Sequence, residues 1–120
     1  MQRKSLGNLG ENLALKHLLN KGFRFIERNF RSKFGEIDLI CQDGDTLVFV
    51  EVKTRFGTSF GTPEEAINPK KINSLIKTSE YFKLLNPRLT EKVRIDVVAI
   101  DLQPGTKELL NIRHIENITL

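Results

Sequence analysis

Leu47-Val48-Phe49-Val50 is apolar at every position and runs straight into Glu51-Val52-Lys53. A strand turns successive side chains to opposite sides, so a run with no polar face has to be covered on both. That predicts a central strand with helices above and below it, and it confines the chain to a layered α/β arrangement. It also puts Glu51 and Lys53 on one face at the end of a buried strand, with Val50 and Val52 on the other.

Residues 36–41 read as the preceding strand. They join residues 46–53 through Gln42-Asp43-Gly44-Asp45, and an Asp-Gly pair between two such runs signals a hairpin. With Asp43-Gly44 as the two-residue turn, Cys41 faces Thr46 and Asp38 faces Phe49. Asp38, Phe49, Glu51 and Lys53 then share a face, with Asp38 and Glu51 diagonal neighbours about 7–8 Å apart. A bulge or a longer turn would shift this register.

The rest of the chain supplies the covering layers. Leu6, Leu9, Leu13, Leu15, Leu18 and Leu19 mostly keep helical spacing, to an end at Lys21-Gly22. Gly7 and Gly10 each cost this helix about 1 kcal/mol, a cost that makes sense where a strand or a phosphate must come close. Residues 23–29 alternate as a strand, followed by a basic turn at Arg31-Ser32-Lys33. Residues 54–61 read as a glycine-punctuated loop, and Thr62-Pro63-Glu64-Glu65 as the start of a short helix. Asn68-Pro69 opens a longer helix carrying Ile72, Leu75, Ile76, Phe82 and Leu85, closed by Asn86-Pro87. Residues 93–102 and 109–118 read as two further strands, the last at an edge. The order is α-β-β-β-α-β-β, one α/β domain with a mixed sheet over residues 1–120.

Charge is distributed in blocks. Residues 1–35 carry a net +6, residues 36–53 a net −4, residues 54–94 a net +4 and residues 95–120 a net −2. An acidic island between basic segments suits a protein that takes up a polyanion and holds a cation beside it, although scattered surface charge would give a similar tally. Burying carboxylates beside an apolar run costs several kcal/mol each unless they are paired or bind a metal. An isolated E-x-K means little, and Asp38, Glu51 and Lys53 could form surface salt bridges. Behind four apolar residues and next to Ile37-Asp38, the set reads instead as a Mg²⁺ site with a lysine beside it. Cys41, the single cysteine, is expected to be a buried structural thiol. His17 and His114 read as structural. Nothing matches G-x-x-x-x-G-K-[ST], so ATP-driven chemistry is not expected. No apolar run approaches the roughly 20 residues of a membrane span, and lysines interrupt the leucines after the N-terminus. The cytoplasm is the expected address.

The D…E-x-K pattern on a hairpin resembles the PD-(D/E)xK nuclease superfamily. The chain is more closely similar to the YraN-type family of small bacterial endonuclease-like proteins. The likeness runs through Gly7-x-x-Gly10-Glu11-x-x-Ala14, Asn29-x-Arg31, Gly35-Glu36-Ile37-Asp38-Leu39-Ile40 and Phe49-Val50-Glu51-Val52-Lys53-Thr54-Arg55. It continues through Phe60-Gly61-x-Pro63, Lys70 and Arg94-x-Asp96-Val97-Val98. Ile37 stands where the superfamily has proline before its first acid. The resemblance implies a restriction-endonuclease-like fold, nucleic-acid substrates (DNA foremost) and phosphodiester hydrolysis with Mg²⁺, Mn²⁺ being an acceptable substitute. Asp38, Glu51 and Lys53 are the implied catalytic set, with Glu11 as a further metal ligand and Glu36, on the face of Asp38 by alternation, as either a ligand or a group supporting the ligands. Arg31, Arg55, Lys70 and Lys71 are candidate phosphate contacts, the last two at a helix N-terminus that favours anions. Two other readings use the same residues: a nucleic-acid-binding module that does not cleave, and an adaptor whose edge strand pairs with a partner.

Overall fold

A computed structural model of the chain describes residues 2–57 and 67–119, with side chains from residue 7 onward. The elements are α1 (Gln2–Asn20), β1 (Arg24–Ser32), β2 (Gly35–Asp43), β3 (Thr46–Phe56), α2 (Pro69–Leu85), β4 (Val93–Leu102) and β5 (Leu109–Ile115). The expected short helix at residues 62–65 and the motif at residues 60–63 lie outside the described residues.

The strands lie in the order β1-β2-β3-β4-β5, so the two-faced apolar strand β3 is the middle one and β5 is an edge, both as the sequence suggests. Pairing is antiparallel except between β3 and β4, which run parallel because α2 carries the chain over the sheet between them. The result is the mixed α/β sheet, flanked by helices, that the element order predicts. Val48 and Val50 join Ala14 and Leu18 of α1 in one core. Leu47 and Phe49 join Leu75 and Phe82 of α2 in another.

Each helix is phased by its own residues. In α1, Ala14 and Leu18 are fully buried, Leu9, Leu13 and Leu15 pack beside them, and Leu19 is exposed. A Cβ at Gly10 would collide with the Thr54 side chain, so the glycine lets α1 lie directly on β3; Gly7 has open space around it. In α2, the Asn68 side chain accepts from the Lys71 backbone N–H at 2.8 Å and Pro69 occupies the first turn.

Several boundaries differ from the sequence reading. Arg31 and Ser32 belong to β1, and the turn is Lys33-Phe34, because Ser32 pairs with Gly35. β3 extends to Phe56 rather than ending at Lys53, since Thr54, Arg55 and Phe56 continue the ladder with Ile100, Asp101 and Leu102. β5 stops at Ile115; Asn117 has φ +54°, and the Ile118 N–H donates instead to the Ile95 carbonyl.

The β2–β3 register is also corrected. Asp43 pairs with Thr46 and Cys41 with Val48, so the two-residue turn is Gly44-Asp45. Gly44 has φ +59°, which a glycine in this turn accommodates without a Cβ clash. Extended by one step beyond Leu39↔Val50, this register sets Asp38 opposite Glu51 rather than opposite Phe49. The shared face is as expected, but the two acids are direct neighbours instead of diagonal ones.

Candidate functional site: an acid pair where two strands part

The β2–β3 ladder ends at Leu39↔Val50, whereas β3 stays paired with β4 as far as Phe56↔Leu102. Beyond Leu39 the β1–β2 hairpin leaves the sheet and leans on α2, where Gly35 is so close to Ser74 that a Cβ would collide with it. The cause is local. Residues two apart in a strand normally share a face. Here Leu39 lies in the α1 core and Ile37 in the α2 core. Asn29, flanked by the pairs Arg28↔Leu39 and Phe30↔Ile37, has φ +58°, the left-handed conformation that asparagine tolerates better than most residues. The hairpin is kinked there, at the level of Asp38.

Asp38 fills the fork. Its Oδ2 accepts from the Val52 backbone N–H at 2.8 Å, replacing the strand carbonyl that the parting has removed. Glu51, across the gap, is 5 % exposed. Burial, foremost, and then the Glu51 charge push the Asp38 carboxyl up to about 7; a hydrogen bond to Glu51 and the charge of Glu36 add to this, and the Val52 N–H opposes it. Two carboxylates this close cannot both ionise cheaply, so they share a proton unless a cation comes between them.

Two lysines already lean on the pair. Lys53 Nζ lies 3.7 Å and Lys71 Nζ 3.4 Å from the same oxygen, Glu51 Oε2. The structure therefore brings together Asp38, Glu51 and Lys53. It also adds Lys71, which the sequence reading had placed among the phosphate contacts. The Asn68-Pro69 cap, which fixes the phase of the first turn of α2, is the one sequence signal that could have pointed Lys71 inward.

The other candidates lie apart from the pair. Glu11 is held by Arg28, Nε to Oε1 at 3.1 Å, while the rest of that guanidinium binds the Asn12 side chain and the Asn8 carbonyl. Among the described residues no group of three acids, histidines or cysteines is placed to hold a metal, so Glu11 does not complete a triad with Asp38 and Glu51. Arg31 pairs with Glu36 at the surface, at 3.1 Å. Arg55 pairs with the buried Asp101 at 2.6 Å. Lys70 is exposed at the start of α2. Cys41 is a buried free thiol that burial, foremost, and then the charge of Asp96 push up to about 11.

One network escaped the sequence reading. Asp96 is fully buried, yet it accepts from Arg94 Nε at 3.1 Å and from the Asn117 N–H at 2.9 Å, and His114 Nε2 lies 2.7 Å away. Burial alone would raise its carboxyl; His114, Asn117 and Arg94 together hold it below the usual range. Lys21 Nζ lies 2.7 Å from His114 Nδ1. An ammonium has only protons to give, so Nδ1 accepts and Nε2 donates to Asp96. Arg94 and Asp96, two apart on β4, were legible as same-face partners; His114, on a separate strand, was not. The network ties β4 to β5 and to the end of α1, on the face of the sheet opposite the acid pair, since Asp96 pairs with Val50 and Val50 belongs to the α1 core.

Fold and site together define a class: a mixed-sheet α/β domain with a buried acid pair and two lysines where two of its inner strands diverge. A family model described as "Uncharacterised protein family UPF0102" matches residues 10–100, and the chain belongs to that family, the YraN-type family. It is 44 % identical over 109 residues to the UPF0102 protein of Syntrophomonas wolfei, covering 91 % of this chain and 95 % of that one. It is 43 % identical over 117 residues to the UPF0102 protein of Alkaliphilus oremlandii, covering 95 % and 97 %. Among solved structures it is similar to Pyrococcus furiosus SfsA in complex with Ca²⁺, at 16 % identity and a TM-score of 0.37. That alignment covers 96 % of this chain and 64 % of the other. No helix among the described residues is long and apolar enough to cross a membrane.

Proposed function

We propose that the chain is a Mg²⁺-dependent nuclease-type domain of the cytoplasm that hydrolyses phosphodiester bonds in nucleic acid, DNA foremost. The observation that carries this reading is the pairing of Asp38 with Glu51 in the strand fork, beside Lys53. A hard cation that keeps several of its waters needs only one or two carboxylates, so the donor set fits Mg²⁺, with Mn²⁺ as a substitute. Uptake of a divalent cation would also relieve the mutual repulsion that leaves Asp38 protonated near neutrality.

When bound, the cation would neutralise charge building on the phosphate and make a neighbouring water more acidic. The chain's own residues do the remainder. Asp38 and Glu51 would hold the cation through oxygens drawn together by β2 and β3. Lys53, anchored on the rigid central strand, places its ammonium where the attacking water and the phosphate oxygens meet. Lys71, in the first turn of α2, would be available to a phosphate at that helix N-terminus if a cation replaced it on Glu51.

The two lysines on Glu51 favour one competing reading: a non-catalytic nucleic-acid-binding module whose cluster is closed by its own salt bridges. A substrate panel separates the two. Purified protein is incubated with duplex, single-stranded, flapped and four-way-junction DNAs in Mg²⁺, Mn²⁺ or EDTA. Cleavage of at least one substrate in Mg²⁺ or Mn²⁺ and none in EDTA is expected. Binding that weakens steeply with salt but never leads to cleavage puts the module reading ahead.

A further inference from the structure

A chain of rings crosses the α2 side of the sheet. Phe49 meets Phe82 edge-on at 5.8 Å, Phe82 meets Phe30 at 5.0 Å, Phe30 meets Tyr81 at 6.3 Å and Tyr81 meets Phe34 at 6.1 Å. The series starts in the core and surfaces at its far end, where Tyr81 and Phe34 are 37 % and 38 % exposed. Rings braced from behind in this way stay at the surface without being free to fold away.

Cations surround the exposed pair. Lys33 holds its ammonium 5.3 Å from the centre of the Phe34 ring, and Lys77 precedes Tyr81 by one helical turn. Lys70, Ser74, Lys77 and Tyr81 form one stripe along α2, and Ser74 Oγ fastens the hairpin turn to that helix by donating to the Phe34 carbonyl at 2.6 Å. Lys33, Phe34, Lys77, Tyr81 and Leu84 line a shallow cavity there; Glu80 is the one acid on its rim. Among the described residues Lys33, Lys70 and Lys77 have no acidic partner within salt-bridge distance. The patch is continuous with the acid pair at both ends. Phe34 is four residues along the hairpin from Asp38, about 13 Å in an extended strand, and Lys71, beside Lys70, touches Glu51.

We infer that Phe34 and Tyr81 form a stacking platform for unpaired bases, with Lys33, Lys70 and Lys77 on the phosphates, so that the chain takes single-stranded nucleic acid or the unpaired part of a branched one. This rests on the nuclease reading for what happens next, but not for binding. A pair of surface rings set among lysines is matched by a polymer with an apolar face on every unit and an anion between units. A duplex hides those base faces within its own stack. Lys33 swings from the Phe34 ring onto a phosphate when a base takes its place.

The sequence provides its own reporter, because Tyr81 is the only tyrosine and there is no tryptophan. Tyrosine emission is followed in EDTA while oligothymidylate of about 20 nucleotides, an abasic oligomer of equal charge and a duplex are titrated in turn. Quenching by the thymidylate, with little by the abasic oligomer or the duplex, is expected. Phe34→Leu and Tyr81→Leu, with unchanged circular dichroism, are expected to weaken thymidylate binding by about 5- to 100-fold when followed by anisotropy. Equal quenching by the abasic oligomer, no quenching at all, or full affinity in both variants overturns the inference, as does a protein that binds over these rings without competition from the oligonucleotide. The two readings fail separately. Stacking without cleavage in Mg²⁺ removes the nuclease and leaves the platform, whereas cleavage of single-stranded and flapped DNA unaffected by either variant removes the platform and leaves the nuclease.

Discussion

Asp38 is subject to opposed demands. The parting of β2 and β3 calls its carboxylate in to satisfy the Val52 N–H, and the same move sets it against Glu51 in a poorly solvated place. The pH dependence follows. An unfolded aspartate releases its proton near pH 4, whereas folded Asp38 keeps it to about 7. The folded state binds the extra proton in that window, so this group's contribution makes stability fall as pH rises from about 4 to 7. Asp38→Asn removes the titration while keeping an oxygen to accept from Val52. Relative to Asp38→Asn, wild type is expected to lose on the order of 5 °C of melting temperature between pH 5 and pH 8. Excess Mg²⁺ is expected to return part of that loss at pH 8. Parallel melting curves for the two proteins would contradict the proton-sharing account.

At the scale of elements, the close approach of α1 to β3 depends on a missing side chain. Alanine at Gly10 would improve helix propensity by about 1 kcal/mol, but its Cβ lands on Thr54, whose place is fixed by the β3–β4 ladder. Overpacking at such a contact costs about 1–3 kcal/mol, so the clash outweighs the gain. Gly10→Ala is expected to destabilise the protein in urea unfolding, and Gly10→Ala with Thr54→Ala is expected to regain most of the loss. A more stable single variant would contradict the contact. The glycine's cost was legible in the sequence as a sign of close approach, although only the structure distinguishes Gly10 from Gly7. Strand content was legible for a similar reason: the all-apolar run at residues 47–50 has one consistent environment, between two helices. Boundaries were less so. The end of β3 depends on β4, some forty residues away in sequence, and the hairpin register depends on which two of four turn residues make the turn. The kink at Asn29 leaves no pattern of its own, since asparagine is common in turns and solvated strands alike.

Across the whole molecule, the acidic island of the sequence divides in two. Asp43 and Asp45 sit at the tip of the β2–β3 hairpin and are neutralised by Arg94 and Lys92. Glu36, Asp38 and Glu51 gather at the other end, where the strands part. Acid pair, lysines and exposed rings therefore share the α2 side of the molecule, while the Asp96–His114 network secures the α1 side. Same-face alternation made Asp38, Glu51 and Lys53 legible as one set. Lys71 and the Phe34–Tyr81 pair were hidden because their roles depend on where α2 lies over the sheet. If the pair is a cation site, cleavage and binding must separate under mutation, because carboxylates repel the phosphate that lysines attract. The direct measurement is single-turnover cleavage in Mg²⁺, alongside affinity in EDTA, for wild type, Asp38→Asn, Glu51→Gln and Lys53→Ala purified identically. The account expects each variant to lose at least about 100-fold in rate, with affinity kept or slightly raised in the two acid variants and modestly lowered in Lys53→Ala. Cleavage that survives Asp38→Asn and Glu51→Gln at the wild-type rate would contradict it.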